Sequence, residues 1–122
     1  MSTSCNVAVK LEDGSFDVVY GHFDGYISGV GITLHQNYNT LDAVKSLISM
    51  GDFCSLDITI NQSEFYHRDK GEDFESVKPF KFKGIYDLED AVGNIEFFYV
   101  FEDGAWVYYE MGSFEGKVES AL

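Results

Sequence analysis

The chain is short of several things, and each shortage closes off a class of protein. Two cysteines in 122 residues, Cys5 and Cys54, make neither a disulfide framework nor a zinc site. Each adjoins a segment that reads as strand, so pairing is geometrically open, but the expectation is two reduced thiols. No stretch of 18 apolar residues exists, so no helix is expected to span a membrane. The opening residues Met1 to Cys5 have neither the basic region nor the apolar stretch of a secretory signal. A soluble, cytoplasmic protein is the expectation. Positive charge is the scarcest commodity: 8 Lys and Arg stand against 21 Asp and Glu, a net charge of −13. Phosphates and anionic membrane surfaces are repelled by such a protein, so direct nucleic-acid binding and membrane binding are not expected, and a basic protein partner suits it.

Catalytic signatures are missing as well. There is no nucleophile elbow, no paired-cysteine motif and no His-Glu-x-x-His. The acidic runs Glu72-Asp73 with Glu75, and Asp87 with Glu89-Asp90, lack calcium-loop spacing. No metal and no cofactor is expected, and the reading favours a binding protein over an enzyme.

What the chain does have is aromatic bulk. Eleven Phe, eight Tyr and one Trp bring aromatics to 16% within a 45% apolar composition, enough for one core and one domain over residues 1–122. Two Asp-Gly pairs sit between β-rich runs, Asp13-Gly14 and Asp103-Gly104. Asp-Gly tolerates the positive φ angles of the two-residue turn whose twist matches the strands. With that loop, Leu11 faces Phe16 and Lys10 faces Asp17 in the first hairpin. In the second, Phe101 faces Trp106 and Tyr99 faces Tyr108. The two tips read alike, Leu-Glu-Asp-Gly-Ser-Phe beside Phe-Glu-Asp-Gly-Ala-Trp; convergence on a favoured turn explains this more simply than duplication.

Helices are expected between the hairpins. Asn39 or Thr40 can cap a helix through Met50 with Leu41, Val44, Leu47 and Ile48 on one face and Gly51 as its stop. A shorter helix is expected from Ser28 to Tyr38, on the spacing of Val30, Leu34 and Tyr38, with Gly29 and Gly31 weakening it. Leu56 to Ile60 alternates as a strand. Residues 61–83 hold five of the eight basic residues and read as a loop or hairpin, with a strand near Pro79–Lys83. Asp87 can cap one helical turn through Val92, and residues 113–122 read as a frayed tail. The fold class is α+β: an antiparallel sheet built from N-terminal and C-terminal β-hairpins, with two or three short helices between them.

The densest signal is the stretch from Tyr20 to Leu34, which leaves a strand, turns on glycines and opens a helix. A strand-to-helix turn of this kind can cradle a ligand on backbone N–H groups, and the candidate ligand residues are Tyr20, His22, Asp24, Gly25, Tyr26, Ser28, Gly29 and Gly31. The competing reading is a tight connection with close backbone packing. If the strand continues, Tyr20, His22 and Asp24 share a face, and His22 with Asp24 could do acid–base work as a hydrolase. On the second hairpin the aromatics exceed one sheet face: either both faces are covered, or Tyr99, Trp106, Tyr108 and Tyr109, with Glu102 and Asp103, form an interface, a homodimer included.

The hairpin followed by Tyr20, His22, Phe23, Asp24, Gly25, Tyr26, Gly29, Gly31 and Leu34 resembles a family of short phage and prophage proteins carrying Tyr-x-His-[Phe/Trp]-Asp-Gly-Tyr-x-x-Gly-x-Gly-x-x-Leu. The resemblance runs from Asn6 to Leu56, taking in Asn37-Tyr38-Asn39 and the run from Leu47; Phe23 and Ile27 stand where many relatives have Trp and Pro. It implies a phage origin and, by association, a small acidic accessory protein that binds and disables a host factor, a defence or nucleic-acid-processing protein. The rivals are a small-molecule or nucleotide-signal sponge using the glycine turn, and a DNA mimic using an acidic track: from Asp87 onward nine acidic residues face only Lys117.

Overall fold

A computed structural model describes residues 3–83 and 95–122. Strands β1 (Cys5–Lys10) and β2 (Phe16–Gly21) form the first hairpin. The chain then turns through a π-helical turn at Ile27–Gly31 into α1 (Ile32–Asn37) and α2 (Leu41–Ser49). Short strands β3 (Phe53–Ser55) and β4 (Glu64–Phe65), helix α3 (Phe74–Val77) and strand β5 (Phe80–Phe82) come next. The second hairpin is β6 (Phe97–Glu102) with β7 (Ala105–Glu110), continued by β8 (Ser113–Lys117) and α4 (Val118–Ala121). Among the described residues these strands make one sheet in the order β4-β3-β2-β1-β6-β7-β8, with β5 also on β2.

The fold is α+β as expected, but the sheet is mixed rather than antiparallel. β1 and β6 run parallel, with Cys5 opposite Phe97 and Val9 opposite Phe101. Parallel neighbours need a long connection, and the helices between the hairpins belong to it. That central pair explains why Phe97 to Phe101 is apolar at every position. Both faces are covered there, so alternation disappears. One face packs Val7, Val9, Tyr99, Phe101 and Trp106 against Leu34, Tyr38, Val44, Leu47 and Ile48 from the helices. The other holds Ala8, Phe16, Val18, Phe98, Val100 and Val107.

Local signals were obeyed where they were strong. Thr40 is the α2 cap, its Oγ1 accepting from Ala43 N at 3.2 Å, and Gly51 takes φ +83° after the helix. Val44, Leu47 and Ile48 are buried, whereas Leu41, in the open first turn, is exposed. The second hairpin has the expected register, Phe101 opposite Trp106 and Tyr99 opposite Tyr108.

Four expectations are corrected. The first hairpin is one residue out: Lys10 faces Phe16 and Val9 faces Asp17, because Leu11 N–H donates to Ser15 O (2.8 Å) and Gly14 N–H to Leu11 O (3.0 Å), closing a three-residue loop. The strand expected at Leu56–Ile60 lies earlier, at Phe53–Ser55, because pairing with Gly21 and Phe65 selects the buried residues. Residues 113–122 form β8 and α4, with Val118 fully buried, rather than a frayed tail. The Ser28–Tyr38 helix begins as a π-turn, in which Gly31 N–H reaches back to Tyr26 O at 3.3 Å. Cys5 and Cys54 are free and buried. The turn expected at Asp87–Val92 lies outside the described residues. No helix among them is long and apolar enough to cross a membrane.

Candidate functional site

β2 ends at Gly21, but its pairing does not. His22 N–H and Phe23 N–H donate to Phe53 O and Cys54 O at 3.1 and 2.9 Å. Asp24 then takes φ +57° and reverses the chain. The corner from Asp24 to Gly31 is held by two contacts from outside it and one within it. Gly25 N–H donates to Thr3 O at 2.8 Å, the buried Tyr99 hydroxyl donates to Gly25 O at 2.6 Å, and Val30 N–H donates to Asp24 O at 2.8 Å. A Cβ on Gly25 would come within 2.8 Å of the Ser4 backbone, and one on Gly31 within 3.2 Å of the Tyr99 hydroxyl. A Cβ on Gly29 would collide with Asp24 O. The glycine α-carbons of this corner face protein, so the corner is rigid and its aromatic side chains are what it offers to solvent.

The expected trio divides. Tyr20 Oη and His22 Nδ1 are hydrogen-bonded at 2.8 Å, and the His22 ring meets Phe23 edge-on at 4.5 Å between centroids. Asp24 turns away and accepts from the Tyr26 hydroxyl at 2.9 Å, which raises the Tyr26 pKa. His22 and Asp24 therefore serve different partners and do not form an acid–base pair. Ser28 lies exposed on the π-turn.

Beside Tyr20 lies a cluster that sequence reasoning missed. Asp52 Oδ1 accepts Tyr20 N–H at 2.9 Å. Asp52 N–H donates to Val77 O (2.8 Å), and Asp52 O accepts from Tyr66 N–H (3.2 Å), so one residue ties β2, β4 and α3 together. Burial pushes the Asp52 carboxyl up to about 6, with repulsion from Glu72 adding to it and the Tyr20 N–H opposing. Burial, then the neighbouring Cys54, pushes the Tyr66 hydroxyl up to about 12, and burial likewise raises the Cys54 thiol. A buried, protonated thiol is a poor nucleophile. The one sequence sign of this cluster was the polar Asp52 wedged between Gly51 and buried Phe53.

On the second hairpin Tyr99 and Trp106, expected at an interface, lie in the core. The Trp106 indole N–H donates to Tyr38 O at 2.8 Å. Tyr108 and Tyr109 are half-buried, and Tyr109 packs edge-on to the exposed Phe114 at 5.3 Å. Glu102 stands 4.0 Å from Lys10, and Asp103 is exposed at the tip. An open apolar cleft of about 530 Å³ runs between the glycine corner and the C-terminal helix, lined by Tyr26, Ile27, Ser28, Ile32, Phe97 and Leu122. Among the described residues, no group of three or more His, Cys, Asp or Glu could hold a metal ion. No family model, curated protein or solved structure matches this chain.

Proposed function

We propose that this chain is a phage-type accessory protein that binds a host protein stoichiometrically, a defence or nucleic-acid-processing enzyme whose surface is basic. The observation that carries the reading is the rigid corner that holds Phe23 and Tyr26 outward, 45% and 40% exposed, beside Tyr20 and His22. Aromatic anchors on a pre-organised backbone lose little entropy on docking and recur as hot spots. The net charge of −13 supplies steering toward a basic surface. Size-exclusion light scattering of the pure protein, alone and after incubation with bacterial host lysate, is the test. A discrete larger complex that is lost in a Phe23→Ala/Tyr26→Ala double variant is expected. A folded bait that forms no complex at micromolar concentration removes the reading.

The cleft beside Tyr26 favours a second reading, a small-molecule binder. Its lining is apolar and no cation stands among residues 20–31, so the ligand it suits is apolar rather than a nucleotide. Saturating ligand stabilises by about 2.7 kcal/mol at a hundredfold excess over Kd; a screen of apolar compounds that leaves Tm unchanged eliminates it.

A further inference from the structure

Alternation along the sheet divides the β2–β3–β4 end into two surfaces. Gly21, Phe53 and Phe65 face the helices. Tyr20, Cys54 and Tyr66, one residue away in each segment, project from the opposite side. There Tyr66 lies beside Cys54, Tyr20 bonds His22, and both tyrosines remain partly open to solvent. The result is a surface of three rings, with Phe23 at its margin and Asp52 between β2 and β3.

Asp52 is the odd member. Its carboxylate is half withdrawn from water, accepts one backbone N–H, and lies in the field of Glu72. No Lys or Arg among the described residues comes within ion-pair distance of it. The neighbouring cations are engaged elsewhere: Lys70 with Glu64 at 3.5 Å, Arg68 with Asp69 at 2.9 Å, Lys78 with Glu75 at 2.7 Å. A half-buried carboxylate without a cation is costly in its ionised form and gains most from one that arrives. The rings of Tyr20 and Tyr66, whose backbone N–H groups bond Asp52, add a second attraction for the same chemistry, since guanidinium stacks on aromatic faces. Net charge works in the same direction over longer range.

We infer that this aromatic face is the docking surface for a basic protein partner, an arginine side chain of which lies against Tyr20, His22 and Tyr66 with its guanidinium on the Asp52 carboxylate. The inference rests on the reading of the chain as a stoichiometric protein binder and names the surface and the partner chemistry.

The probe is the pentapeptide Gly-Arg-Arg-Arg-Gly, titrated into the full chain at pH 7.5 and followed by NMR, with a norleucine analogue as control. Saturable shifts concentrated on Tyr20, His22, Asp52 and Tyr66 are expected. Asp52→Asn should weaken binding at least about tenfold, as loss of one member of a hydrogen-bonded charge pair does. Glu12→Gln, which removes the same charge from an exposed hairpin tip, should weaken it less than about twofold, as a screened distant charge does. The asparagine oxygen can still accept from Tyr20 N–H, so this variant folds, and a melting curve verifies it. Equal weakening by the two variants, shifts spread over every acidic surface, or no binding at all overturns the inference. The wider reading fails separately, in the light-scattering experiment: a complex with lysate protein that survives Asp52→Asn leaves that reading standing and this surface wrong.

Discussion

The two Asp-Gly hairpins look interchangeable in sequence and are not interchangeable in space. At the second tip Asp103 and Gly104 both take positive φ, +52° and +78°, the two-residue turn that Asp-Gly favours. At the first tip only Gly14 does, at +85°, and the loop holds three residues. Within the turn itself, Glu-Asp-Gly-Ser against Glu-Asp-Gly-Ala, one position differs. Ser15 gives both its N–H (3.0 Å) and its hydroxyl (2.5 Å) to Asp13 Oδ1, whereas Ala105 has no hydroxyl to give. The consequence is large, because a one-residue change of register turns side chains over. Phe16 and Trp106 occupy the same place in the sequence pattern, yet Phe16 lies in the cluster on one sheet face and Trp106 in the helix-covered core on the other. Packing acts in the same direction as the serine: the observed register sets Val7 opposite Val19 and Ala8 opposite Val18, so both faces of β2 are buried where β1 is.

The comparison breaks most visibly at those two aromatics. Trp106→Ala should cost about 4 kcal/mol, a large core deletion that also strips Tyr38 O of its buried donor. Phe16→Ala should cost about 3 kcal/mol, since no hydrogen bond goes with it. Denaturant midpoints order the pair, and equal losses would mean that the indole bond contributes nothing.

Acid dependence separates the hairpins next. Asp52 holds β2 of the first hairpin, and burial raises its carboxyl from 3.8 to about 6. A raised acid favours the folded state when protonated. Its contribution is therefore complete below about pH 4 and is lost as pH rises through 6. Asp52→Asn should remove that loss, stabilising the protein by about 1–2 kcal/mol at pH 7.5 after allowance for solvent screening. The measurement is the difference in unfolding free energy between pH 4.5 and 7.5, which should flatten in the variant. Asp13 has the opposite sign: its bonds from Ser15 lower its pKa, so what it contributes is present above the unfolded value and fades as pH falls.

Ser15→Ala tests the cause of the register directly. It makes the first tip chemically like the second. About 1 kcal/mol should be lost with the hydrogen bond. The register should hold, read from cross-strand contacts between Val7 and Val19, because slippage would turn the β2 valines to the wrong faces. A slip that brings Lys10 opposite Asp17 would show the serine alone to be decisive.

The smallest effect concerns a third turn. Met111 and Gly112 join β7 to β8 with φ of +50° and +86°, the conformation of Asp103-Gly104. Methionine is a poor residue for positive φ, and its side chain is exposed. Met111→Asn should stabilise by about 0.5–1 kcal/mol, seen as a raised Tm.

That turn also shows why β8 escaped sequence reading: a Met-Gly pair carries no turn signal, although the backbone behaves as if it did. The site was half legible for a similar reason. Tyr20, His22, Phe23 and Tyr26 are adjacent in the chain, and the glycines announce a tight corner. Asp52, Cys54 and Tyr66 reach Tyr20 only because β3 and β4 dock beside β2, a fact that no local pattern of theirs contains.

The amino-acid sequence by itself determined the second hairpin and its register, the capped helix after Thr40 and the net negative charge. Each of these rests on interactions a few residues apart, where turn chemistry, side-chain period and charge act before the chain has folded. The tertiary structure alone decided the parallel pairing of β1 with β6, the register of β2, and the union of Tyr20, Asp52 and Tyr66. Those rest on which apolar faces are covered and by what, and burial is a property of the whole packed sheet rather than of any segment within it.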